Sequence, residues 1–286
     1  MMLSARHIDA VVTAALDEDA PWGDLTSSAF VPETARATAE LVSRVSGVFS
    51  GGAVFAAAFS LTDPTCEVVV TVPDGATIHA GQTLAVVRGP ARAVLTAERV
   101  GLNFAQRMSG IATLTRAYVD AVAGTGARIA DTRKTTPGLR AVERQAVRDG
   151  GGRNHRFSLS DAVMLKDNHL GVMTADGTGL TEALRRAMAE LPHTAHVEVE
   201  VDRIDQIEPV LAAGIDTIML DNFSPADLRR GVEMVAGRAT VEASGGVSLA
   251  TVRVIAETGV DVISVGALTH SAPALDLGLD LVVDAP

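Results

Sequence analysis

The chain has 286 residues, a formal net charge of −11 and 47% hydrophobic residues. That composition supports one large domain or two, and the acidic balance excludes broad nucleic-acid binding, which needs a basic face. Apolar runs such as "AVFAAAFSL" fall far short of the roughly 20 residues that cross a bilayer. The N-terminus lacks the basic start of a signal peptide, and the single cysteine, Cys66, excludes an internal disulfide and a cysteine-based zinc site. A cytoplasmic protein with neither a membrane nor a nucleic-acid partner is expected.

Residues 1–27 read as a helix followed by a turn-rich connection, "PWGDLTS". In the stretch from 36, "ARATAELVSRVSGVFSG" and "EVVVTVPDGATIHAGQTLAVVRGP" alternate apolar and polar residues between glycine turns, which predicts strands and hairpins. The second resembles the biotinyl or lipoyl carrier hairpin. Such a carrier needs a lysine at the tip, and no lysine precedes residue 134, so a structural β-layer is expected. "RAVLTAERVGLNFAQRMSGIATLTRAYVDAV" predicts one or two long amphipathic helices, with Gly101 and Gly110 as interruptions.

From residue 127 short β-rich runs alternate with helical segments. The runs are 128–132, 162–168, 196–201, 217–222, 239–245 and 262–266. Alternation with buried strands predicts a parallel sheet, and six units suggest an α/β barrel that is incomplete. Polar residues fall at the run ends: Asp131 with Arg133 and Lys134 after it, Lys166 with Asp167, Glu200, Asp221 and Ser244. Packing gives a core strand no reason to end in charge, whereas α/β barrels build their active sites there. Glu198, two before Glu200, shares its side of the strand and either joins the site or forms an ion pair within it. Ser244-Gly245-Gly246 and Gly266-Ala267 each precede a helix and read as anion cradles, because glycine lets the backbone approach a phosphate. "AGTGAR" lacks the third glycine and the leading strand of a dinucleotide fingerprint and reads as a loop.

Twenty-two of the basic residues are arginine and only two are lysine, Lys134 and Lys166. In such a chain a retained lysine marks a place where a compact charge with a movable pKa is needed instead of a planar fork. The cluster Arg133, Lys134, His155, Arg156 and Lys166 exceeds what one phosphate requires. It suits a polycarboxylate beside a phosphorylated sugar. Glu200 and Asp221 suit Mg²⁺, bound directly or through water. Arg140, Arg144 and Arg148 recur at helical spacing and read as a solvated face. Arg153 reads as loop solvation, His7 and His79 as surface groups, and His193 with His196 as no metal pair.

The motifs "DTRKTTPGLR", "AVRDGGGRNHRFSLSDAVMLKDNH", "EVEV", "IMLDNF", "EASGGV" and "VGALTHSAPALDLGLD", with "ARAVLTAERVGLNFAQRMSGIATLT" ahead of them, resemble the quinolinate phosphoribosyltransferases in order over nearly the whole chain. One departure is "VERQAV", where the family has a Lys-Tyr pair at positions 144–145. The resemblance implies an α/β fold: an N-terminal α/β sandwich domain (1–108), an open, incomplete TIM-like α/β barrel (109–269), and a tail (270–286) returning to the first domain. It implies that quinolinate is held by Arg99, Arg133, His155, Arg156 and Lys166. It gives phosphoribosyl pyrophosphate and its Mg²⁺ to Lys134, Glu200 and Asp221, and the 5′-phosphate to Ser244, Gly245, Gly246, Gly266 and His270. It also implies homodimers or hexamers in which Arg99 reaches the adjacent subunit's site. Three other readings stay open: a phosphoribosyltransferase of the molybdenum-transport type, a barrel aldolase with Lys166 as Schiff base, and a non-catalytic phosphate-binding barrel.

Overall fold

The computed structural model describes residues 3–284. In chain order it holds α1 (Ala5–Asp19), α2 (Leu25–Phe30), β1 (Arg36–Ser43), β2 (Gly47–Val48), α3 (Gly52–Thr62), β3 (Glu67–Val70), β4 (Thr77–Ile78), β5 (Thr83–Pro90) and α4 (Ala91–Ala121). Then come β6 (Arg128–Ala130), α5 (Arg140–Asp149), β7 (Val163–Leu165), α6 (Asp167–Met173), α7 (Leu180–Met188), β8 (Val197–Val201), α8 (Ile207–Leu211) and β9 (Thr217–Asp221). The last are α9 (Pro225–Val235), β10 (Thr240–Ser244), α10 (Val252–Ala256), β11 (Val262–Ser264), α11 (Ala267–His270) and β12 (Leu277–Val283). No helix among the described residues is long and apolar enough to cross a membrane.

The chain forms two compact units. One takes residues 1–116, 135–151 and 268–286, the other 117–134 and 152–267. The division expected at 108/109 thus falls inside α4, and segment 135–151 belongs with the first unit.

In the first unit an antiparallel sheet runs in the order β12-β1-β5-β3. Alternate residues of β1, namely Ala37, Ala39 and Leu41, are fully buried, as a half-covered strand requires. The core around them includes Phe49, Phe55, Phe59, Ile78 and Leu84. Gly101 and Gly110 do not interrupt α4, which runs unbroken for 31 residues. They are points of close approach. A side chain at Gly101 would meet Phe55 and Phe59 at 3.2 Å, and one at Gly110 would overlap the Pro273 carbonyl oxygen. The "DLTS" of the expected connection instead opens α2, because Asp24 caps it, accepting the Ser27 N–H at 3.0 Å. α3 was hidden among expected strands. Six of its eleven residues are buried, so its sequence has no polar face to show a helical period.

Helix α5 reads from sequence as the first barrel helix. It sits in the first unit because Glu143, fully buried, accepts from Arg107 Nη2 at 2.9 Å and from the Thr136 N–H at 3.1 Å. Arg140, Arg144 and Arg148 are accordingly half-buried and not a solvated face.

The second unit is the open barrel. Its six strands are parallel, in the order β6-β11-β10-β9-β8-β7, and no pairing among the described residues joins β6 to β7. The free edge of β6 carries one bridge, to Arg153, whose N–H donates to the Ile129 carbonyl at 2.8 Å. Val197, Val199 and Val201 alternate with Glu198 and Glu200 along β8. The valines are buried, and both glutamates line cavities. β9 repeats this with Ile218 and Leu220 against Thr217, Met219 and Asp221, and β10 with Val241 and Ala243 against Thr240, Glu242 and Ser244.

Candidate active site

A cavity of about 590 Å³ opens at the carboxyl ends of the barrel strands. Arg133, Lys134, His155, Arg156 and Lys166 all line it, as do Glu200 and Asp221. Ser244, Gly245 and Gly246 complete one wall. Ten of the thirteen residues expected in the site are thus brought together within one unit. Arg99, Gly266 and His270 are not among the lining residues. Arg99 is exposed on α4, and both it and His270 belong to the first unit.

The period of two along each strand explains the arrangement. Glu200, Asp221 and Ser244 stand at or next to the ends of β8, β9 and β10 on the inward side. Lys166 follows β7 directly and forms an ion pair with Glu200. Arg133 and Lys134 follow β6, where the Lys134 N–H donates to Thr132 Oγ1 at 3.1 Å.

The cationic turn 153–156 is anchored from below. Asp131 is fully buried, and its Oδ1 accepts the His155 N–H at 2.7 Å while its Oδ2 accepts Asn154 Nδ2 at 2.6 Å. Arg156 Nη1 donates to the Ala162 carbonyl at 3.0 Å. Burial and the neighbouring Arg133 lower the pKa of the Arg156 guanidinium, against the pull of Glu198 and Asp161. Two like charges held this close, in a partly dry site, make a strong anion receptor.

The glycine cradle has a geometric cause. Gly245 has φ +92°, and a side chain there would overlap Asn222 Oδ1. Asn222 itself is left-handed, with φ 58°. Its N–H donates to the Ser244 carbonyl at 2.9 Å, and its Nδ2 donates to Asp221 Oδ2 at 2.7 Å. Asn222 therefore orients the carboxylate of Asp221 and ties β9 to the cradle. Sequence reasoning passed over it, although an Asn directly after a strand-end Asp is a residue type that tolerates the left-handed region.

A second cavity of about 580 Å³ lies at the opposite ends of the strands, lined by Arg128, Arg153, Glu198, Thr217 and Glu242 among others. His155 and Arg156 line both cavities. Glu198 and Glu242 are the deeper inward residues of β8 and β10. Glu242 was not foreseen, though its place two before Ser244 puts it on the same face.

A divalent cation fits the upper cavity by donor chemistry. Glu200, Asp221 and Asn222 also line a small acidic recess of about 260 Å³ with Asp167 and Asp202. Hard oxygen donors of this kind suit Mg²⁺.

Models of the quinolinate phosphoribosyl transferase N-terminal and C-terminal domains match residues 24–109 and 111–280. A nicotinate-nucleotide pyrophosphorylase [carboxylating] of Mycobacterium leprae is 44% identical over 98% of this chain and 100% of its own length. A probable enzyme of the same name from Bacillus subtilis is 42% identical over 92% of this chain and 90% of its own. The crystal structure of NadC from Streptococcus pyogenes superposes with a TM-score of 0.94 at 39% identity, covering 100% of both chains. A match across both domains leaves the Schiff-base aldolase reading of Lys166 without support. The chain belongs to the quinolinate phosphoribosyltransferase family.

Proposed function

We infer that this chain transfers the phosphoribosyl group of 5-phosphoribosyl 1-pyrophosphate to quinolinate. Pyrophosphate and CO₂ leave, and nicotinate mononucleotide is formed for NAD biosynthesis. The observation that carries the reading is the upper cavity, where four basic side chains, Arg133, Lys134, Arg156 and Lys166, line the same space as Glu200 and Asp221. A pyridine dicarboxylate beside a sugar pyrophosphate accounts for that number of cations, and a single carboxylate does not.

Arg133, Arg156 and Lys166 are the groups suited to the two carboxylates of quinolinate, with Arg99 of a neighbouring subunit completing them in a homodimer or hexamer. Lys134 suits the pyrophosphate, and the cradle at Ser244–Gly246 suits the 5′-phosphate, with Gly266 and His270 as its further ligands. Glu200 and Asp221 would hold Mg²⁺, which when bound supplies countercharge to the pyrophosphate. As the ribose C1–O bond to pyrophosphate breaks, positive charge grows at C1, and the two carboxylates stabilise it while Lys134 stabilises the departing anion. The pyridine nitrogen then forms the C1–N bond and becomes cationic. That charge stabilises the electron pair left on the ring carbon when the 2-carboxylate departs as CO₂, and a proton takes its place. Since Lys166 is paired with Glu200 here, the arriving dianion must exchange places with Glu200, freeing that carboxylate for the ribose side. The work belongs in the cytoplasm, where both substrates are soluble anions.

The test is the formation of nicotinate mononucleotide from quinolinate, phosphoribosyl pyrophosphate and Mg²⁺, with nicotinate as the sole acceptor in a parallel assay. Nicotinate should have at least a hundredfold lower kcat/KM, because it leaves a desolvated cation unpaired. Equal efficiency with both acids overturns the dicarboxylate reading.

A further inference from the structure

His155 sits between the two cavities, and both of its ring nitrogens are engaged inside the protein. Nε2 lies 3.1 Å from Glu198 Oε2 and 3.4 Å from Glu242 Oε1. Nδ1 accepts the Arg156 N–H at 2.7 Å. The His155, Glu198 and Glu242 side chains are 12%, 5% and 4% exposed, so solvent screens these contacts little. With Nδ1 an acceptor, the ring proton belongs on Nε2, directed at the carboxylates.

Burial works against a charged ring at this position, but hydrogen bonding and charge from Glu198 and Glu242 outweigh it and raise the imidazole pKa to about 10. The Arg156 N–H at Nδ1 opposes a second proton there. Nε2 carries a proton in either charge state of the ring, and Nδ1 accepts the Arg156 N–H in the neutral one. The same tautomer argues against a divalent metal at these three donors, because an Nε2 ligand must move its proton to Nδ1, where an N–H already points. On the upper-cavity side the charged lining is Arg133, Lys134, Lys166, Glu200 and Asp221. Asp131, following β6, takes the main-chain N–H of His155, Arg156 follows the ring in sequence, and Arg128, Arg153 and His196 line the lower cavity. β9 and β11 contribute Thr217 and Val262 to that cavity, without charge. Burial raises the pKa of Glu198, the charge of Glu242 adds to it, and His155 opposes both. Two adjacent carboxylates this deep need a shared donor, and a change that removes it is costly.

We propose that Glu198 and Glu242 are positioning residues for the acceptor end of the site: they hold His155 by its Nε2–H, His155 holds the Arg156 main chain, and Arg156 is thereby aimed at the dicarboxylate. The proposal rests on the acceptor reading given above, and moves His155 from substrate contact to support.

Two measurements test it on the full chain. In Glu242→Gln and Glu198→Gln, KM for quinolinate should rise tenfold or more while KM for phosphoribosyl pyrophosphate stays within twofold. A merely structural role would move both constants, or kcat alone. In the wild-type protein with ¹⁵N-labelled histidine, the His155 Nε2 signal, assigned by its loss in His155→Gln, should be that of a protonated nitrogen from pH 6 to 8.5. It should shift in both glutamine variants. Parallel changes in the two KM values, or none, overturn the proposal. So does a bare Nε2 at pH 7.5, or loss of its proton on adding Zn²⁺, which would make the cluster a metal site. The wild-type spectrum decides even if the variants fail to fold. Absence of nicotinate mononucleotide in the wild-type assay would fell the acceptor reading while leaving the nitrogen spectrum to judge the cluster.

Discussion

Gly245 concentrates the demands of the site on one backbone position. Its φ of +92° lies where other residues are strained, and the space its side chain would enter holds Asn222 Oδ1. Gly245→Ala should cost about 1–3 kcal/mol of stability from strain alone. It should also raise KM for phosphoribosyl pyrophosphate tenfold or more, since Asn222 must shift and Asp221 with it. A thermal melt and steady-state kinetics on the purified variant check both, and an unchanged KM would show that the cradle tolerates the displacement. Residues of this kind were partly legible in the sequence. The glycines announced a turn, and the strand-end charges stood out because a core strand does not otherwise end in them. Asp131 was legible as a strand-end charge but not as the anchor of the 153–156 turn, and Asn222 was not legible, because their work is to hold neighbours through contacts that no spacing encodes. Glu198 was readable from the alternation of "VEVEV", and the same alternation in "TVEAS" carried Glu242.

At the scale of elements, all six barrel strands were legible, because buried parallel strands read as short apolar runs between helical segments. Among the helices misjudged, α3 and α5 were so for opposite reasons. α3 is apolar on every side and so shows no amphipathic period. α5 has a clear period, but nothing local tells which partner its apolar face meets, and the deciding contact is between Arg107 and the buried Glu143, 36 positions apart. The end of α5 carries a pH dependence. Burial raises the pKa of Asp149, donors from Ser50 and Gln145 lower it, and the charge of Asp74 raises it further. A carboxyl whose folded pKa is raised contributes stability that is full below its ordinary value of 3.8 and is lost as pH rises through the raised value. Asp149→Asn removes that loss. The melting temperature of the variant minus that of the wild type should therefore grow more positive between pH 4 and pH 8, whatever its sign at pH 4. A difference that is flat or falls across that range would show that the donors outweigh burial.

For the whole molecule, the sequence read as acidic with a local concentration of cations, and the barrel cavity is where those cations meet. What composition could not reveal is which chain supplies Arg99. It lies in the first unit and is not among the residues that line the cavity, and the family resemblance implies a neighbouring subunit. Arg99→Ala and Lys134→Ala should each be inactive alone. Refolded together, they should recover activity up to about a quarter of wild type, because half of randomly assorted dimers are hybrids with one intact site. A mixture that stays inactive while hybrids demonstrably form would place Arg99 in its own chain's chemistry or outside it altogether. The antiparallel sheet of the first unit has a consequence for how the protein is made. β1 pairs with β12 from Ala37↔Val283 to Ser43↔Leu277, so one flank of β1 has no partner while every barrel strand is being translated. At roughly 5–20 residues per second, the nascent chain carries an unsatisfied strand edge for ten seconds or more, and its first sheet is closed only by residues translated after the last barrel strand.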